Sequence, residues 1–185
     1  LGGKTECKRA MLDRFHLPQD LDRPVFACVT RLTAQKGVEL IRQGAGDILA
    51  AGGIFIALGS GEKDSEKFLQ ALRDYAPDRV GVYIGYNESL AHLIEAGADM
   101  FLMPSRFEPC GLGQMMALRY GTIPIVRATG GLADSIRGYH PGAAADADGF
   151  VFRDYSGQAL FQTISEAGAL YHNSGNWPCP VRRAP

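Results

Sequence analysis

Long apolar runs, net charge and paired cysteines are all missing from this chain, and each absence closes off a class of function. No stretch approaches the ~18 consecutive apolar residues of a membrane-spanning helix, so no membrane partner is expected. A net charge of −1 gives no long-range attraction for nucleic acid or an anionic bilayer, and neither is expected as a partner. Whatever the protein binds, it must recognise by local chemistry. The four cysteines, Cys7, Cys28, Cys110 and Cys179, stand singly, and the four histidines lie far from them in sequence. That scatter argues against a zinc site or a disulfide framework. It also makes a Ser/His/Asp or Cys/His triad unpersuasive, and reduced thiols are the plain reading for all but Cys110. Leu1 to Arg9 carries no apolar signal core, so a cytoplasmic location is expected.

What is present is the material of one globular α/β domain. A length of 185 residues suits one domain or slightly more, and 46% hydrophobic content is enough for a core. Glycine, with 23 residues, exceeds its usual ~7% share. These glycines fall between apolar runs and read as turn residues. Short apolar runs, Val25–Val29, Ile54–Leu58, Val80–Ile84, Met100–Met103 and Ile123–Val126, read as strands. Between them the spacing predicts helices over Lys4–His16, Val38–Ala50, Ser65–Tyr75, Ser89–Ala96 and Leu112–Tyr120. A short strand at Gly149–Phe152 and a helix over Gln158–Tyr171 follow. Alternation of nearly all-apolar strands with helices predicts a Rossmann-like parallel sheet with helices on both faces. Residues 1–172 are read as one lobe and 173–185, with three prolines and no periodicity, as an irregular tail.

Ligands of such sheets sit outside the carboxyl ends of the strands, and the polar motifs fall there. Pro104-Ser-Arg-Phe-Glu108-Pro-Cys110-Gly111-Leu112-Gly113 places a carboxylate, a guanidinium, a thiol and glycines where a strand hands over to a helix. Free backbone N–H groups at a helix start can add to the grip on an anion. Thr30-Arg31-Leu-Thr-Ala-Gln35-Lys36-Gly37 is a second, cationic turn, which a parallel sheet can aim at the same crevice. Taken alone, each feature also has a plain structural reading. Arg31 and Lys36 can be solvated surface cations, Glu108 a charge at a helix start, and Gly111 and Gly113 backbone requirements of a tight turn. Tyr86, after the third strand, suits either stacking on a base or a half-buried core edge. Gly59-Ser-Gly61 is too short for a P-loop, and no Gly-x-Gly-x-x-Gly fingerprint follows the first strand. Asp134 reads as the cap of a short helix.

Together, Arg31 to Gly37, Pro104 to Gly113, Tyr120-Gly-Thr-Ile-Pro-Ile-Val126 and Thr129-Gly130-Gly131-Leu132 resemble the bacterial glycogen synthase and plastid starch synthase family, over about Lys4 to Tyr171. The resemblance implies the C-terminal lobe of a two-lobed GT-B glucosyltransferase. Such an enzyme passes glucose from ADP-glucose to the non-reducing end of an α-1,4-glucan with retention of configuration. It implies Arg31 and Lys36 at the donor's diphosphate, which would remove the need for a metal, and Glu108 and Cys110 beside the transferred sugar, Cys110 as a small, partly buried residue lining the site. Gly111, Leu112 and Gly113 would meet the distal phosphate, Thr129 and Gly130 would form a phosphate-side loop, and Tyr86 would stack on adenine. No cofactor beyond the donor is implied.

One departure stands out. The broader retaining superfamily often carries a second glutamate eight positions after the first, and here that position is Met116, which leaves ribose contacts unassigned. A related UDP- or GDP-sugar transferase and a non-catalytic nucleotide-binding module are the rival readings. The chain is expected to be a fragment lacking its N-terminal lobe, and inactive or nearly so by itself.

Overall fold

The computed structural model describes residues 2–172. Helix α1 (Gly2–Arg14) precedes β1 (Val25–Val29), and α2 (Val38–Ala50), β2 (Ile54–Gly59), α3 (Lys63–Tyr75) and β3 (Val80–Ile84) follow. The second half runs α4 (Glu88–Gly97), β4 (Met100–Met103), α5 (Gly113–Arg119), β5 (Ile123–Arg127), α6 (Gly130–Ser135), β6 (Phe150–Phe152) and α7 (Gly157–His172). The strands β1, β3 and β4 and the helix α2 coincide with the runs read from the sequence, and the other expected elements shift by one or two residues at one or both ends. The expected irregular tail, 173–185, lies outside the described residues.

All six strands pair in parallel, in the order β3-β2-β1-β4-β5-β6. This is the α/β, Rossmann-like architecture expected. Strand residues alternate between two apolar layers. Val25, Ala27, Ile54 and Ile56 pack with Met11 and Leu12 of α1 and Leu90 and Ile94 of α4. Phe26, Cys28, Phe55 and Ala57 pack with Ile41 and Ile48 of α2 and Leu160 and Ile164 of α7. Because both faces are covered, the strands are apolar at nearly every position rather than at every second one. From β1 the chain works outward to β3, then crosses over and works outward the other way from β4. The loops leaving β1 and β4 therefore diverge, and a crevice opens between the carboxyl ends of these two strands.

Two local endings differ from expectation. Helix α1 stops at Arg14, and His16 adopts a left-handed conformation at φ 55°. His16 N–H bonds Asp13 O at 2.9 Å and Leu17 N–H bonds Leu12 O at 2.9 Å, the Schellman pattern that closes a helix, here with histidine where glycine is usual. Asp134 is not a cap, because α6 begins earlier, at Gly130, and encloses it. The extended residue before that helix is Thr129, whose side chain makes no capping hydrogen bond.

At the amino ends of the strands lies a buried polar cluster that composition does not reveal. Lys8 Nζ donates to Asp99 Oδ2 at 2.7 Å and to Leu21 O and Arg23 O, both at 2.8 Å. The same Asp99 oxygen accepts from Val25 N at 2.8 Å. Lys4 Nζ donates to Ala98 O at 2.6 Å and Thr122 Oγ1 at 2.7 Å. Burial lowers the Lys4 pKa to about 8, loss of solvation outweighing the attraction of Asp99.

Two outcomes follow. Asp99→Ala strands the Lys8 ammonium in a buried site and is expected to cost about 3–5 kcal/mol, read from chemical denaturation. For Lys4, the unfolded chain holds its proton up to the ordinary lysine pKa of 10.5, whereas the folded chain releases it near 8. Stability from this group therefore rises with pH through that window. The melting temperature of the wild type should climb relative to Lys4→Met between those two pH values, and a flat difference would contradict the burial.

Candidate functional site

Two turns meet above β1 and β4. The turn after β1 contains a short 3-10 helix, Ala34–Lys36, and passes through Gly37 at φ 73° into α2. A side chain at Gly37 would put its Cβ 2.0 Å from Pro104 O, in the turn after β4. Only glycine permits both this backbone angle and this approach. Main-chain bonding stitches the turns together, Arg106 N to Gln35 O at 2.8 Å, with Gln35 Nε2 donating to Phe107 O at 3.3 Å.

The side chains meet at Glu108. Lys36 Nζ lies 2.5 Å from Glu108 Oε2, and Ser105 Oγ donates to the same oxygen at 3.1 Å. The carboxylate is 9% exposed and the lysine side chain 19%, so the pair is largely shielded from water and screened little by salt. A third turn holds the Glu108 main chain from the other side. Gly131 N donates to Glu108 O at 3.0 Å, and a Cβ on Gly131 would sit 2.0 Å from Cys110 O. Gln114 ties the start of α5 to α6, its Nε2 donating to Gly111 O at 2.9 Å and Ser135 Oγ at 3.0 Å. Arg127, at the end of β5, donates from Nε to Ser105 O at 2.9 Å and from a terminal nitrogen to Arg106 O at 2.5 Å.

Around this junction lies a cleft of about 240 Å³ whose walls include Arg31, Lys36, Ser105, Glu108 and Gly111 to Gly113. Six of the residues singled out from the sequence therefore line one cavity: Arg31, Lys36, Glu108, Gly111, Leu112 and Gly113. It presents two cations, one carboxylate already paired with a cation, and the first main-chain N–H groups of α5, which have no intrahelical acceptor. Such a set can hold an anion and a hydroxyl side by side.

The other expected residues sit differently. Cys110 is exposed rather than partly buried, and it is not among the residues lining the cleft. Its carbonyl faces Gly131 and Gln114, which turns the thiol outward. Tyr86 is 82% exposed and also stands outside the cleft lining, because β3 is the outer strand and β2 separates it from β1. Thr129 and Gly130 approach the cleft from the α6 side, where a Cβ on Gly130 would lie 2.2 Å from Glu108 O. Met116, in place of a second glutamate, is half-buried in α5. Sequence reasoning gave no role to Ser105, Gln114 or Arg127. A hydroxyl three residues before the carboxylate was the available signal for Ser105.

Residues 11–169 match the glycosyl transferases group 1 family. The chain belongs to this family. It is 46% identical over 181 residues to a glycogen synthase of Anoxybacillus flavithermus and 47% identical over 180 residues to one of Thioalkalivibrio sulfidiphilus. These matches cover 98% and 96% of this chain and 37% of each relative, so the chain spans little more than a third of the relatives' length. Among solved structures, the catalytic domain of starch synthase IV from Arabidopsis thaliana bound to ADP and acarbose superposes with a TM-score of 0.92 at 36% identity, covering 98% of this chain and 38% of that one. Sucrose-phosphate synthase from Thermosynechococcus elongatus shares the fold, with a TM-score of 0.70 at 19% identity over 98% of this chain and 45% of that one. The resemblance to glycogen and starch synthases is thereby borne out, as is the GT-B type of fold. Among the described residues no helix is long and apolar enough to cross a membrane.

The thiols give a direct test of the site's exposure pattern. Burial pushes the Cys28 thiol up to about 12, so it is neither accessible nor ionised at neutral pH. Iodoacetamide under native conditions is expected to label Cys110 and spare Cys28, as read by peptide mass spectrometry. Labelling of Cys28 at a comparable rate would show that the sheet core opens.

Proposed function

We propose that this chain is the donor-binding, C-terminal lobe of a glycogen or starch synthase, residues 1–172 forming one lobe. The enzyme would transfer glucose from ADP-glucose to the non-reducing end of an α-1,4-glucan with retention. The observation that carries this reading is the contact between Lys36 and Glu108 across the crevice between β1 and β4, in a cleft that also includes Arg31.

Breaking the bond between glucose and a nucleoside diphosphate builds negative charge on the leaving oxygen, and preorganised cations there lower the barrier. Arg31 and Lys36 supply that charge. Glu108 binds a sugar hydroxyl and orients the donor. The Gly111 to Gly113 main chain and the Thr129-Gly130 turn contact phosphate, and Tyr86 offers its exposed ring to adenine, while Cys110, turned outward, takes no part. Among the described residues only one carboxylate lines the cleft, which favours front-side attack assisted by the leaving phosphate over the two-carboxylate route of retaining glycosidases. The acceptor glucan and the remaining contacts belong to the N-terminal lobe of the longer protein. A cytoplasmic setting completes the reading, in keeping with free thiols at Cys7, Cys28 and Cys110.

Titration calorimetry of this chain against ADP, UDP and GDP tests the proposal. ADP is expected to bind best, and Arg31→Ala and Lys36→Ala are each expected to weaken it by about tenfold or more, the loss of a charge-assisted hydrogen bond. Preference for UDP or GDP would move the chain to a sister transferase. Affinity unchanged by both substitutions would mean that the nucleotide binds elsewhere.

A further inference from the structure

We propose that Arg127 is the positioning residue of this site. Braced on Tyr155, it holds the turn that carries Glu108 in register with the turn that carries Lys36. The role in nucleotide binding rests on the reading of the cleft just given, whereas the role in holding the turns does not.

Arg127 ends β5, beside β4, and its guanidinium is used in an unusual way. Besides Ser105 O and Arg106 O it reaches Arg153 O, in the loop after β6, at 3.2 Å. Among the described residues no carboxylate forms a salt bridge with it. A planar fork of donors on main-chain carbonyls of two different loops fixes shape, and a carboxylate partner would leave fewer donors for that. Tyr155 lies beneath it, with the Arg127 guanidinium 5.4 Å and the Arg106 guanidinium 4.6 Å from the ring centroid. The Tyr155 hydroxyl reaches Ala34 O, in the Lys36 turn, only at 3.4 Å, so the ring rather than the hydroxyl carries the brace.

The route to the cleft is short. Ser105 gives its carbonyl to Arg127 and its hydroxyl to Glu108 Oε2. Arg106 gives its carbonyl to Arg127 and its N–H to Gln35 O. One side chain therefore holds both Ser105, which bonds the Glu108 carboxylate, and Arg106, which bonds the opposing turn. Both turns lack regular ladder bonding, and a segment of that kind drifts unless something outside it sets its position. Displacing a binding group by about an ångström costs on the order of a hundredfold in a reaction, so such a brace bears on function without touching ligand.

The experiment uses Arg127→Lys and Tyr155→Leu, with Tyr155→Phe as the conservative control, in this chain. Two readouts are taken, hydrogen exchange at the Arg106 amide and ADP affinity by calorimetry. Lysine keeps the charge and loses the planar fork. Arg127→Lys and Tyr155→Leu are expected to speed Arg106 exchange by about tenfold while Phe26 and Phe101 in the sheet stay protected, and to weaken ADP by about tenfold. Tyr155→Phe, which keeps the ring, is expected to stay within about threefold of wild type in both. Unchanged exchange at Arg106 in Arg127→Lys would overturn the proposal, as would faster exchange with unaltered ADP affinity, or faster exchange spread through β1 and β4. If the wild-type chain takes up no ADP, the reading of the cleft fails, and exchange at Arg106 alone decides whether Arg127 holds the turns.

Discussion

One oxygen atom, Asp99 Oδ2, sets the frame on which everything above it depends. It accepts from the first amide of β1 and from the Lys8 ammonium, while its own residue leads directly into β4. Lys8 also gathers the carbonyls of Leu21 and Arg23, which deliver the chain to β1. The two central strands are thus pinned at their feet, between α1 and the loop before β1. Register matters here more than elsewhere, because a slip of one residue exchanges the faces of a strand. It would send Phe26 and Cys28 into the layer of α1 and α4 and move the turns above out of step.

From that frame the site is assembled by close approach rather than by long side chains. Gly37 and Gly131 each pass a neighbouring carbonyl at a distance that no Cβ could share. Three loops from distant parts of the sequence thereby converge on Glu108: from below by Lys36, from its own turn by Ser105, and from α6 through its carbonyl. Ser105 and Glu108 supply buried side chains to the cleft wall, whereas Arg31 and Leu112 are exposed at it. The cost falls on the backbone, which must use left-handed glycine angles at Gly37, Gly111 and Gly130.

How much of this the sequence discloses follows from what kind of information each feature needs. The strands are legible because a doubly covered parallel strand is apolar throughout, as in Met100-Phe-Leu-Met103. The cationic and acidic turns are legible as motifs, and their place at strand ends follows from the alternation. The meeting of Lys36 with Glu108 is not written in either motif, because it depends on β1 and β4 being neighbours. The outward turn of Cys110 and the separation of Tyr86 from the cleft have the same origin, in loop packing and strand order. Lys4 and Lys8 look like surface residues of an exposed helix, since lysine is rarely buried, and only the fold shows them inside. Arg127 looks like a polar stop at the end of a strand until its three carbonyl partners are in place.

On the proposed reading of the cleft, the Lys36–Glu108 contact would also act as a filter on what occupies it. A simple anion that draws Lys36 away would leave a buried carboxylate without its cation, a penalty of several kcal/mol that its own binding would have to overcome. A neutral polyol that engages Glu108 gains nothing from the lysine. A molecule carrying an anionic group and a hydroxyl a few ångströms apart can take both partners in one step and leave neither uncompensated. On that reading, discrimination would precede any base-specific contact, exerted by an ion pair that is exchanged for the ligand rather than added to it.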